Sequence, residues 1–105
     1  MLFLSRVEEI ILLTIWRLQD EAYGIAIREE VMRVTGKRWL LGAIYGPLGR
    51  LYKKGLVQTM KGDPTPEKGG RAKVFYQLTP EGQQALREVR KIQSAIWKDI
   101  PELEF

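Results

Sequence analysis

The sequence predicts a mainly α-helical chain with one small β-hairpin, its elements in the order α-α-α-β-β-α. Three observations carry this reading. Apolar residues recur at helical spacing in three successive segments before Gly55, and two short runs of β-branched and aromatic residues follow it. A proline-led helical start at Thr79-Pro80 then opens a last amphipathic stretch. With 105 residues, 45% hydrophobic and 29% charged, the composition suits one globular domain and argues against disorder.

The first helix starts at Ser5, which stands at capping-box spacing from Glu8, so that each side chain satisfies a free amide of the first turn. Val7, Ile10, Ile11, Leu12, Leu13, Ile15, Trp16 and Leu18 leave this helix almost no polar face. Such a helix must be covered on more than one side, which a single small domain does with difficulty. A second chain is therefore expected over it. Gln19-Asp20-Glu21 breaks the pattern, and a second helix is expected over about 22–34 with Ile27, Val31 and Val34 on one face. Gly36 is placed to stop it in a left-handed conformation. A third helix over about 41–54 turns Leu41, Ile44, Leu48 and Leu51 inward and stops at Gly55. Helix, short turn, helix is the signal of a helix-turn-helix.

Residues 56–61 and 74–78 read as strands, and Gly62 to Arg71 between them has turn and loop chemistry throughout. This gives a hairpin with a long cationic tip. Thr79 caps the last helix and Pro80 takes its first position, where a missing amide costs nothing. Leu86, Val89, Ile92, Ile96 and Ile100 form its apolar stripe, and Pro101 ends it. The whole reads as a winged helix-turn-helix over 1–79 with a C-terminal dimerisation helix and short tail over 80–105, forming one compact unit. The dimer is expected to bury Ile11 and Ile15 of the first helix against Leu86, Val89, Ile92 and Ile96 of the last, because a two-fold interface covers both stripes at once.

Composition excludes several function classes. There is no cysteine and no histidine, which removes disulfides, a thiol nucleophile, a Cys/His zinc site and a Ser-His-Asp relay. Gly36-Lys37 is not a phosphate loop, since the upstream glycine is missing and Arg38 stands where Ser or Thr is required. The adjacent acids Asp20-Glu21 and Glu29-Glu30 have no matching ligands elsewhere. No enzyme, metal site or cofactor is expected. Met1 to Leu4 is too short for a signal-peptide core, and Ile10 to Trp16 falls far short of a membrane span. The expected location is the cytoplasm.

The net charge of +4 is unevenly spread. Residues 37–73 hold nine basic groups against two acidic ones, whereas both flanking segments are mildly acidic. A focused basic region of this kind fits a polyanion-binding face. Within the fold, Arg50 and Lys53 lie on the polar side of the third helix, Arg50 suited to a guanine or a phosphate and Lys53 and Lys54, near the helix end, to phosphates. Tyr45 can donate its hydroxyl to a phosphate, Lys37 and Arg38 precede the helix near the backbone, and Lys68, Arg71 and Lys73 arm the wing beside two glycines. A rival reading from another class is a winged-helix interaction module whose basic face meets an acidic protein partner.

Five stretches then resemble one family. They are Tyr23-Gly24-Ile25-Ala26-Ile27; Gly42-Ala43-Ile44-Tyr45 with Leu48-Gly49-Arg50-Leu51; Lys54-Gly55-Leu56-Val57; Gly69 to Tyr76; and Leu78-Thr79-Pro80-Glu81-Gly82. In this order and spacing, over roughly 7–86, the chain resembles the PadR family of transcriptional regulators, in particular its compact subgroup with a single short C-terminal helix. The resemblance implies a homodimeric repressor of double-stranded DNA whose third helix reads the major groove and whose wing meets the minor groove or backbone. It also implies dimerisation through the last helix, and it allows a flat aromatic effector between protomers, for which Trp16 and Trp97 are the candidate lining. Three features depart from the pattern. Leu40 stands where a serine cap is usual, Pro47 lies inside the recognition helix, and Gly42, Gly46 and Gly49 weaken that helix further. An unrelieved internal proline costs about 3 kcal/mol. Each glycine costs about 1 kcal/mol relative to alanine.

Overall fold

The computed structural model describes residues 3–64 and 72–104. Helix α1 spans Arg6–Leu18 and runs through a 3-10 turn at Gln19–Glu21 into α2, Gly24–Thr35. Helix α3 spans Leu41–Lys53, strands β1 and β2 span Val57–Pro64 and Ala72–Leu78, and α4 spans Pro80–Trp97. The element order is the predicted one. The strands pair antiparallel from Val57 opposite Leu78 to Lys61 opposite Val74, with a register shift before Pro64. Tyr23 adds a third short edge by bridging to Phe75, and the Tyr76 amide donates to the Ala22 carbonyl at 2.8 Å. The wing is thereby tied to the start of α2, a link that no local sequence signal announced.

The capping expectations hold atom by atom. The Glu8 amide donates to Ser5 Oγ and the Ser5 amide to Glu8 Oε1, which completes the capping box. Thr79 Oγ1 accepts from the Gly82 amide at 3.0 Å and donates to the Gly55 carbonyl at 2.7 Å, so one hydroxyl starts α4 and anchors it to the turn after α3. Gly36 ends α2 at φ 69°. A Cβ on Gly82 would collide with the Leu56 carbonyl oxygen, so only glycine permits this docking.

The core unites Ile11, Leu12 and Ile15 of α1, Ile27 and Val31 of α2, Ile44, Leu48 and Leu51 of α3, and Leu56, Val57, Leu78 and Ala85. This corrects the expected dimer interface at two positions. Ile11 and Ile15 are 0% and 1% exposed, buried within this chain by α2 and α3. The apolar residues that α1 leaves exposed are Leu13 and Trp16. Val34 and Leu41, expected inward, are also exposed. Thr35 turns in beside Val34's position instead, accepting from Trp39 Nε1 at 3.2 Å while Arg28 Nε donates to the Trp39 carbonyl at 2.6 Å. These bonds fix the turn between α2 and α3.

Helix α4 ends at Trp97, earlier than the proline-based expectation. Lys98 is extended, Asp99 takes φ 59°, and Ile100 therefore lies beyond the helix and outside its stripe. Pro101 explains part of this, because the residue before a proline is driven out of helical conformation. Only the first half of α4 reaches the core; from Lys91 onward every described residue is exposed. The radius of gyration, 15.6 Å, exceeds the roughly 13 Å of a compact chain of this length for the same reason. Among the described residues no helix is long and apolar enough to cross a membrane.

Candidate nucleic-acid interface

Helix α3 has two unlike faces. Its inner side buries Ile44, Pro47, Leu48 and Leu51. Successive residues turn by about 100°, which places Gly42, Gly46, Gly49 and Lys53 on the opposite side, and all four are exposed. A Cβ on Gly42 or Gly49 would meet nothing within 4 Å, so the fold itself does not demand glycine at either position. The helix also starts without a side-chain cap: the Leu40 carbonyl accepts from the Ala43 amide at 3.0 Å instead. Pro47 sits in a continuous helix with its ring buried, so core packing holds the segment where intrinsic propensity does not.

The cations around this face are not equally free. Lys53 is exposed, and Lys37 and Arg38 are exposed in the turn before the helix. Lys54 differs from the expectation. Its ammonium donates to Glu8 Oε2 at 2.8 Å, an ion pair across 46 positions of sequence, so it is satisfied within this chain. Arg50 shares the same carboxylate oxygen more loosely, its Nε 3.6 Å away. Its Nη1 would lie 3.7 Å from a Cβ on Gly46, so the guanidinium lies back along the helix toward its N-terminal end. Burial pushes the Glu8 carboxyl up, but the Lys54 ammonium and the Ser5 amide and hydroxyl outweigh it and leave the group below its ordinary value. Glu8 was legible as a capping residue. Its reach to α3 was not, because no local spacing encodes a contact between the two ends of a helix-turn-helix.

Tyr45 projects from the flank of α3 onto α2. Its hydroxyl occupies the space that a Cβ on Gly24 would take, and burial with the nearby Tyr45 raises the Tyr76 phenol. In the wing, Lys73 places its ammonium 4.1 Å from the Tyr23 ring centroid, and Tyr23 meets Phe75 edge-on at 5.6 Å. Lys61 is exposed on β1. Lys68 and Arg71, expected at the wing tip, lie outside the described residues. Among the described residues no group of His, Cys, Asp and Glu is assembled that could hold a metal ion.

A family model described as the transcriptional regulator PadR-like family matches residues 11–88, from within α1 through both strands to the first half of α4. The chain belongs to this family. Two structures of RosR from H. salinarum are similar at 26% identity: the hsRosR-S1 complex, with a TM-score of 0.75 over 92% of this chain and 79% of that one, and crystals grown from NaBr, with a TM-score of 0.73 over 93% and 81%. A PadR family transcription regulator from hypervirulent Clostridium difficile R20291 shares the fold at 22% identity, with a TM-score of 0.72 over 90% of this chain and 93% of that one. No curated protein matches. Family membership makes the chain a transcriptional regulator and its fold the PadR-type winged helix.

The second surface of this PadR-like regulator is a groove between α1 and α4. It holds about 610 Å3 and is floored by Ile10, Leu13, Trp16, Leu86 and Val89, with Arg6, Glu9, Arg87 and Arg90 around it. Beyond it α4 carries Ile92, Ile96 and Trp97 in the open, and Ile96 is 63% exposed. Trp16 and Trp97 are not brought together in one chain: Trp97 lines a separate depression with Ile100, Pro101, Glu102 and Leu103.

Proposed function

We propose that the protein is a homodimeric, sequence-specific DNA-binding repressor that reads the major groove with α3 and contacts the backbone with its wing. The outer face of α3 is the observation that carries this reading. Three exposed glycines narrow the helix where it meets base edges, and Arg50, Lys53 and Tyr45 stand beside them. A helix so trimmed brings its backbone close to the groove floor, while the flanking cations meet phosphates. Lys37, Arg38 and Lys73 extend the cationic surface on either side; Lys68 and Arg71 belong to it by sequence. Lys54 is left out, because Glu8 already holds it.

Dimerisation supplies the second half-site. The exposed far half of α4 and the groove beside Trp16 are both apolar, and each Leu or Ile left wet forgoes about 1.5–3 kcal/mol of burial. A two-fold arrangement seats each α4 stripe, Ile92 and Ile96 foremost, in the partner's groove and buries both. An aromatic effector site lined by Trp16 and Trp97 forms only between protomers in this arrangement.

Selecting duplexes from a randomised pool and titrating the winner against a scrambled duplex at several salt concentrations tests the reading. Tighter binding to the selected duplex is expected, with affinity falling steeply as salt rises because Lys and Arg release counterions from phosphates. Equal, weak binding to every duplex contradicts it. Sedimentation tests the dimer: the parent chain should run as a dimer at low micromolar concentration. Ile96→Asp should yield unfolded chain or a monomer without operator affinity; a well-folded monomeric parent overturns this part.

A further inference from the structure

The charge balance at the root of α3 is set by one buried acid. Glu8 is 3% exposed, yet both its carboxylate oxygens are used: Oε1 accepts from the Ser5 amide, and Oε2 faces Lys54 at 2.8 Å and Arg50 Nε at 3.6 Å. Capping α1 needs only the first of these. The second spends a buried negative charge beside a surface that otherwise concentrates positive charge. A carboxylate near a phosphate-binding face weakens attraction to DNA of any sequence, so its presence calls for an explanation other than affinity.

We propose that Glu8 is a positioning residue for DNA reading: it withholds Lys54 from phosphates and, through a looser ion pair at 3.6 Å, draws the Arg50 guanidinium back along α3. The chemistry favours this division. A lysine ammonium is a point charge that meets any phosphate, whereas an arginine fork can present two donors at once to a guanine edge. With Nε directed to Glu8, the two terminal nitrogens of Arg50 remain for the two acceptors of a guanine edge. The fork lies beside Gly46 at ordinary contact distance, its Nη1 3.7 Å from where a Cβ would stand. Glu8 therefore exchanges sequence-independent attraction for selectivity. It also makes the start of α1, through Ser5, part of the reading apparatus on α3.

This inference rests on the DNA-binding reading above, and Glu8→Gln separates the two. Glutamine serves equally in a capping box, so α1 keeps its start while the charge is lost. Relative to the parent, Glu8→Gln should bind scrambled duplex more tightly and discriminate the selected duplex about tenfold less well, as expected when a fixed bidentate contact loosens. Its log affinity should fall more steeply with log salt, by about one unit of slope, as Lys54 takes up a phosphate. A merely structural role would lower affinity for both duplexes together and leave the slope alone. Glu9→Gln, which removes the same charge one residue along, should leave discrimination unchanged. In the parent background Lys54→Met should not change the slope, whereas Lys53→Met should flatten it by about one unit. Unchanged discrimination and slope in Glu8→Gln, or a flattened slope in Lys54→Met, overturns the proposal while leaving the DNA reading intact. A parent chain that prefers no duplex overturns both.

Discussion

Helices α1 and α3 are both 13 residues long and lie against each other, but they are stabilised by opposite means. Helix α1 carries its own start signal, a complete capping box, acids in its first turn and Arg17 in its last, where each complements the helix dipole. Helix α3 has no side-chain cap, an internal proline and three exposed glycines. It persists because Ile44, Leu48 and Leu51 are buried by its neighbours and because Glu8 of α1 clasps its C-terminal end. The helix that carries the proposed reading surface is thus less able than α1 to form alone. A trimmed face suits the proposed approach to DNA, and the scaffold around it compensates for the lost propensity.

Three substitutions sharpen this contrast, beginning with the largest effect. Ile44→Ala, at a residue with no exposure, should cost about 2–5 kcal/mol in a urea melt, since α3 has little besides packing to hold it. A loss under 1 kcal/mol would show that α3 is more autonomous than its sequence implies. Ser5→Ala should cost about 1 kcal/mol through the lost cap of α1. It should leave exchange protection in the middle of α3 in step with global stability, because the Glu8 contact with Lys54 does not pass through the Ser5 hydroxyl. The smallest effect is acid sensitivity at the surface. Hydrogen bonding to Arg33, with Arg17 of α1 adding to it, holds Glu30 at about 2. A carboxyl lowered in the folded state stabilises above its ordinary value and loses that contribution as pH falls toward 2. Glu30→Gln should therefore slightly flatten the pH dependence of stability below about pH 5, with no change at neutral pH beyond the lost surface pair. A steeper acid transition in the variant contradicts this.

What the sequence made legible divides along the same line. Caps, stops and periodicity are local, so Ser5, Gly36, Thr79 and Pro80 announced their roles, and the order of elements followed from them. Contacts between distant segments were hidden. Glu8 with Lys54, Tyr45 over Gly24, and Lys73 above Tyr23 all join residues more than twenty positions apart. The apolar residues of α1 divide between two surroundings. Ile11 and Ile15 go to the chain's own core, and Leu13 and Trp16 are left for the groove. Periodicity gives the width of an apolar face. It does not say which part of that face meets the chain's own helices.

The central claim, that the glycine face of α3 lies against DNA, is tested most directly by Gly49→Ala. Its Cβ meets no neighbour within 4 Å and alanine favours helix, so stability should rise by about 1 kcal/mol in a thermal or urea melt. If the face enters the groove, the same methyl group should lower affinity for the selected duplex about tenfold, even though the protein is more stable. A stabilised variant that binds the selected duplex as tightly as the parent would contradict the account, because the face would then be free of DNA.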